Sequence, residues 1–91
     1  MFYVYILRSA VTSRFYIGST QDLQTRLLQH NAGASKATRH GVPWTLVHTE
    51  ALPSRAEAVR KEKYYKTGRG RDELQAILAA TSDRTHRAAL D

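Results

Sequence analysis

Cysteine is absent from the 91-residue sequence. That excludes disulfides and thiolate metal sites, so any metal must be held by oxygen or imidazole. Long hydrophobic runs are missing too. The strongest, around residues 4–7, falls far short of the ~20 residues a membrane-spanning helix needs. The opening Met1-Phe2-Tyr3 lacks the basic region and extended apolar segment of an export signal. A cytoplasmic location with no membrane contact is therefore expected. Acidic residues are scarce: eight Asp and Glu face fourteen Lys and Arg, a net charge of +6. In so small a chain that excess favours a polyanionic partner, with plain solubility as the simpler alternative. There is no internal repeat, low-complexity tract, Gly-rich phosphate loop or paired-carboxylate motif. The length allows one domain, and a chain this short buries only about 60–65% of its unfolded surface. Most large apolar residues should therefore serve a thin core.

What is present alternates. Residues 2–8, FYVYILR, place Phe2, Val4 and Ile6 on one face and Tyr3, Tyr5 and Leu7 on the other. Both faces are largely apolar, which predicts a central strand covered on both sides. A polar loop over 9–13 leads to a second strand over 15–18, and their closeness in sequence predicts an antiparallel hairpin. A register with Tyr5 opposite Tyr16 would stand two phenols together on one face, but sequence does not fix the register. A helix is expected over 22–30. Asp22 suits its N-cap or first turn, Leu23, Leu27 and Leu28 recur on one face, and Asn31-Ala32-Gly33 supplies the stop. Arg26 and His30, four residues apart, project from one side of it.

Residues 33–43 are small, polar and basic, a loop with room for one helical turn. With Lys36 and Arg39 it could wrap a phosphodiester backbone, or it could simply connect. A third strand is expected over 44–50, with Pro43 at its start. Strict alternation puts Trp44, Leu46 and His48 on one face and Thr45, Val47 and Thr49 on the other. His48 reads as a half-buried strand residue rather than a ligand.

Ser54 and Glu57 form a capping-box pattern that opens a second helix, expected to run to residue 67 and stop at Gly68. Ala58, Val59, Glu62 and Tyr65 fall on one face of it. Glu62 is the exception on that apolar face, since helices usually keep glutamates wet. By spacing alone it pairs with Lys66 or Lys63 at the rim. Seven basic and two acidic residues lie between Arg55 and Arg71. Arg60, Lys61, Lys63 and Lys66 are expected to form a basic surface around Glu62, where a polyanion would relieve their mutual repulsion. A last short helix is expected over 72–80, packed through Leu74, Ile77 and Leu78. The tail over 81–91 has no strong apolar period.

Tyr3-Val4-Tyr5, then Tyr16-Ile17-Gly18, then Arg26, eight residues after Gly18, then Glu62 resemble the GIY-YIG nuclease family. The resemblance covers about residues 2–80. His30-Asn31, Gly33, Thr38-Arg39 and Pro43-Trp44 further resemble its small stand-alone bacterial members and the related structure-specific endonucleases. Two departures stand out. The first tripeptide lacks its leading glycine, as the stand-alone members commonly do, and Ser19 stands where some members have a lysine. The resemblance implies an α+β fold, a three-stranded antiparallel sheet with flanking helices, which agrees with the β-β-α-β-α-α order read above. The domain would span 1–80 and the tail 81–91.

The resemblance also implies metal-dependent endonuclease chemistry on DNA, with RNA not excluded. Glu62 would be the sole protein ligand of one divalent ion, Mg2+ or Mn2+. Such ions keep most of their waters and often take only one or two carboxylates. A two-metal site normally needs several convergent carboxylates. Most of the eight acids here sit at caps, at the edge of the third strand or in the last quarter of the chain. Arg26 would fork onto the scissile phosphate, a task that suits arginine better than lysine. Tyr16 is the candidate general base, and a tyrosine, with an ordinary pKa of about 10, needs a nearby cation or metal-bound water to ionise at neutral pH. Tyr5 would hydrogen-bond beside it or share that role, with core packing as the alternative. His30 would position water or contact phosphate, or simply end its helix. Lys36, Arg39, Arg60, Lys61, Lys63 and Lys66 are the candidate nucleic-acid contacts. The rivals to an enzyme are a binding module of the same fold and a nuclease subunit that needs a protein partner. The residues name neither the substrate, from repair intermediates to incoming foreign DNA, nor the oligomeric state.

Overall fold

β1 (Phe2–Ser9) is the middle strand of a three-stranded sheet ordered β2-β1-β3, with β2 (Phe15–Thr20) and β3 (Trp44–Leu52) both antiparallel to it. The structure, a computed structural model, describes the backbone of residues 1–90 and the side chains of residues 1–80. The chain order is β1, β2, α1 (Leu23–Asn31), a 3-10 turn (Arg39–Gly41), β3, α2 (Arg55–Tyr65) and α3 (Gly68–Leu90). This is the expected β-β-α-β-α-α arrangement, with the one helical turn in the basic loop. No helix among the described residues is long and apolar enough to cross a membrane.

The alternation of β1 makes two cores. Val4 and Ile6 pack with Ala58, Tyr65 and Leu74 beneath α2 and α3. Tyr5 and Leu7 pack with Trp44 on the opposite face, closed by Tyr16, Leu23, Leu27, Val42 and Leu46. Val4, Tyr5, Ile6 and Leu7 are all buried, as a strand covered on both sides requires.

The caps are where the sequence puts them. Asp22 accepts from the backbone N–H of Thr25 at 3.1 Å, and Ser54 accepts from that of Glu57 at 3.2 Å. The hairpin register, which the sequence left open, is set here, and two expectations need correction. The register pairs Tyr5 with Gly18 and Leu7 with Tyr16, so the two tyrosines are diagonal neighbours, not opposite partners. In β3 a bulge follows Leu46, because Leu7 pairs with Leu46 whereas Ile6 pairs with His48. The extra residue, Val47, resets the alternation. His48 therefore shares the α2 face with Ile6 rather than the Trp44 face. Finally, α2 stops at Tyr65 and α3 begins at Gly68, not at residue 72. Thr67 makes the break. Its hydroxyl donates to the Tyr64 carbonyl at 2.6 Å and accepts from the Gly70 N–H at 3.1 Å, closing one helix and capping the next. Gly70 passes so close that a Cβ would lie 1.8 Å from the Tyr64 carbonyl oxygen. The boundary expected at residue 80 falls where side chains leave the described set.

Candidate active site

Tyr5, Tyr16 and Gly18 lie on the α1 side of the sheet. The Tyr5 and Tyr16 ring centroids are 6.3 Å apart. Gly18 sits under the end of Tyr5: a Cβ there would fall 2.5 Å from the phenol oxygen and 3.1 Å from Cε2 of Tyr16. The missing side chain lets the Tyr5 ring extend across the edge strand.

Helix α1 brings two more groups to the same face. Its N-cap at Asp22 fixes its start, and Leu23 and Leu27 anchor it on the second core. Arg26 is half-buried, with Nη1 donating to Gln29 Oε1 at 3.0 Å. His30, at the last turn, is fully buried. Its Nε2 lies 2.9 Å from the Tyr5 hydroxyl, and its Nδ1 lies 2.7 Å from the Thr38 hydroxyl. Its ring centroid is 5.0 Å from that of Tyr16. Of the readings left open for His30, direct contact with phosphate does not fit a fully buried ring. A ring with no solvent exposure and both nitrogens engaged is a brace between tyrosine and loop.

The loop is held in turn by β3. Trp44 Nε1–H donates to the Thr38 carbonyl at 2.7 Å. Asn31 clamps the Trp44 backbone, accepting from its N–H at 2.6 Å and donating to its carbonyl at 3.1 Å. Thr38 and Asn31 were not expected as site residues. A threonine amid small polar residues carries no periodic signal, and only the resemblance marked them.

Glu62 comes from α2, on the other face of the sheet. Ser19 of the edge strand donates its hydroxyl to Glu62 Oε1 at 2.8 Å, and Lys66 donates to Oε2 at 2.8 Å. Of the two lysines that spacing allowed, Lys66 is the partner. Its side chain is 49% exposed and that of Glu62 is 22% exposed, so this rim pair is weak by itself. Ser19 was noted in the sequence only as a departure from the family's lysine and was given no role. Its signal was a polar side chain at an inward strand position, two after Ile17.

Electrostatics ties the two faces together at the Tyr5 hydroxyl. Burial raises the Tyr5 phenol above its ordinary value; the adjacent Arg26 guanidinium opposes that rise, and Tyr16 and the Glu62 carboxylate add to it. Arg26 and Glu62 are thus both within electrostatic reach of one phenol oxygen. Burial lowers His30 below the usual imidazole range, and the Arg26 charge adds to the effect, so the ring is held neutral. Among the described residues no three His, Asp or Glu side chains gather as a metal cluster.

The basic residues divide. Lys63 and Lys66 are exposed, Lys66 paired with Glu62, and Lys36 and Arg39 are exposed in the loop. Lys61 turns the other way. Its ammonium lies 3.8 Å from Glu50 and 5.0 Å from the Tyr65 ring centroid. Arg60 lines a groove with Leu52, Glu57, Lys61, Tyr64 and Glu73. The basic surface expected around Glu62 is therefore corrected: Lys61 is drawn to Glu50 and the Tyr65 ring, and Arg60, two residues before Glu62, lies about 160° round the helix from it.

Residues 1–75 match the family model of the GIY-YIG catalytic domain. A UPF0213 protein of Halobacterium salinarum is 43% identical over 63 residues, covering 68% of this chain and 80% of that protein. A UPF0213 protein of Streptococcus pyogenes is 36% identical over 78 residues, covering 85% of this chain and 84% of the relative. The solution NMR structure of a UPF0213 protein from Bacillus halodurans superposes with a TM-score of 0.52 at 37% identity, covering 85% of each chain. With that match spanning most of the chain, and the paired tyrosines and Gly18 in place on its sheet, the protein belongs to the GIY-YIG family of nuclease domains.

Proposed function

We propose that the chain is a divalent-metal-dependent endonuclease that hydrolyses phosphodiester bonds in DNA. The observation that carries this reading is the cluster of Tyr5, Tyr16 and His30 over Gly18, ring centroids 5.0 to 6.3 Å apart, on the face where α1 brings Arg26 to the Tyr5 hydroxyl. Hydrolysis needs an activated water, charge on the phosphate oxygens and help for the leaving oxygen. Tyr16 takes the proton of the attacking water. Tyr5, whose phenol burial pushes up, keeps its proton and serves as a hydrogen-bond donor. Arg26 grips the phosphate with the arms of its guanidinium that Gln29 does not use.

Glu62 fits the role of lone metal ligand. Each of its oxygens has one donor, Ser19 or Lys66, and a carboxylate oxygen offers a second lone pair. That suits a Mg2+ or Mn2+ ion that keeps most of its waters. When bound, the ion supplies positive charge for the phosphate and the leaving oxygen. Lys63, Lys66, Lys36 and Arg39 then follow the phosphate backbone. Repair intermediates and other branched DNA fit such a phosphate-driven grip.

The test is cleavage of branched, flapped and nicked DNA, and of structured RNA, in Mg2+ or Mn2+. Glu62→Ala and Arg26→Ala should each slow cleavage by about 10²-fold or more, as loss of a transition-state contact does. The Lys66–Glu62 ion pair favours a second reading, a module that grips nucleic acid without cutting, because Lys66 already stands where a cation would act. Tight, salt-sensitive binding with no cleavage across the panel would select that reading.

A further inference from the structure

The hydrogen bonds at His30 have a direction. The Thr38 hydroxyl is fully buried, and among the described residues its one hydrogen-bond acceptor is His30 Nδ1, at 2.7 Å. One of two buried hydroxyl hydrogens, that of Thr38 or that of Tyr5, must go without a protein acceptor. Thr38 is sealed at 0% exposure, whereas Tyr5 adjoins the half-buried Tyr16 and Arg26, where a ligand can reach, so Thr38 donates and Nδ1 accepts. A neutral imidazole that accepts at Nδ1 carries its hydrogen on Nε2. Nε2–H then donates to the Tyr5 oxygen at 2.9 Å. Tyr5 cannot spend its own hydrogen on His30, and Arg26, which only donates, cannot take it either. We propose that Thr38 is a positioning residue: it fixes the Nε2–H tautomer of His30 and thereby turns the Tyr5 O–H outward, as a hydrogen-bond donor to the anionic group bound beside Arg26 and Tyr16. The opposite direction would have Tyr5 donate to Nε2 and would leave the Thr38 hydrogen unpaired.

Thr38 is fixed well enough to do this. Its carbonyl is held by the Trp44 indole, whose backbone Asn31 clamps. Burial of His30 keeps the ring neutral, which a one-way chain requires. Thr38 and His30 are 0% exposed, so bulk water does not compete with Nδ1 for the Thr38 hydrogen.

This inference rests on the nuclease reading for what Tyr5 donates to, but its first test does not. Long-range 1H–15N correlations on the full-length protein at neutral pH report the His30 tautomer, with His30→Gln used for assignment. Hydrogen on Nε2 in the wild type supports the proposal; hydrogen on Nδ1 overturns it whether or not the protein cuts DNA. Thr38→Ser retains the hydroxyl and should keep both the tautomer and the cleavage rate. Thr38→Val removes it and should leave the two tautomers mixed. Its kcat should fall about tenfold, the equivalent of one ordinary hydrogen bond, with KM changed by less than about twofold. Thr38→Val with wild-type kcat would also overturn the positioning role. A wild-type protein that shows the Nε2–H tautomer yet cuts nothing sinks the nuclease reading and leaves the hydrogen-bond direction standing.

Discussion

Gly18 and Tyr5 face each other across the β1–β2 ladder, and the phenol of one fills the space a side chain on the other would need. Gly18→Ala would put a methyl 2.5 Å from the Tyr5 oxygen and 2.6 Å from Cζ, in contact with a ring that is already buried. The ring must shift, and overpacking of this kind costs about 1–3 kcal/mol. Urea unfolding should report that loss, and cleavage should fall further than the stability loss explains, because Tyr5 also moves off His30. Unchanged unfolding midpoint and activity would contradict the geometry.

Asn31 offers a different measurement, one of stability alone. Its amide satisfies both the N–H and the carbonyl of the buried Trp44. Asn31→Ala leaves both backbone groups without that partner, at about 1–3 kcal/mol. Asn31→Asp keeps the acceptor and loses the donor, so its unfolding midpoint should lie between the wild type and the alanine variant.

Acid should weaken the fold in two stages. Burial holds His30 below its ordinary 6.5, with Arg26 adding to the effect. A depressed histidine is stabilising while neutral in both states, and that contribution is lost as pH falls from 6.5 towards its folded value. Glu50 acts in a lower window. Burial raises its carboxyl, but the Tyr65 and His48 hydrogen bonds and the Lys61 charge outweigh burial and hold it below 4.5. Its contribution is present above 4.5 and is lost below that as the folded group takes up a proton. Urea midpoints from pH 7.5 down to 3 should show both steps. His30→Gln should flatten the first and Glu50→Gln the second.

Salt separates the lysines. Phosphate contacts make binding fall linearly with log salt, and removing one contact lowers the slope by roughly one. Lys63→Ala and Lys36→Ala, both at exposed positions, should reduce the slope for a short duplex. Lys61→Ala should not, because its ammonium is turned to Glu50 and the Tyr65 ring. Equal slopes for all three variants would restore a single basic surface around Glu62.

Much of this was legible in the letters. Two-residue alternation across 2–8 specified a strand buried on both faces, and Asp22 and Ser54 marked their helix starts because each supplies a side-chain acceptor. The approach of Tyr16 to Tyr5 was foreseen in kind but not in register. The slip is set by a turn in which Ser9 accepts from the N–H groups of Val11 and Thr12 and Ser13 takes a positive φ, and short polar loops advertise neither. His48 was put on the wrong face because a bulge leaves no mark on hydrophobic period. The partner of Glu62 was narrowed to two lysines by helix geometry, but Ser19 lies 43 residues away and only folding brings it there. His30 was read from its helix position, whereas its burial comes from Tyr5 and Thr38, on separate segments.

The bulge at Val47 has a bearing on self-association. β3 is an outer strand, with one row of backbone groups unpaired by the sheet. A regular strand of nine residues in that place would be a template on which a second molecule could extend the ladder. Here the row is broken midway, so an incoming strand that matches one half falls out of step with the other. The same irregularity that sends His48 towards α2 thus guards a highly basic little protein against stacking edge to edge.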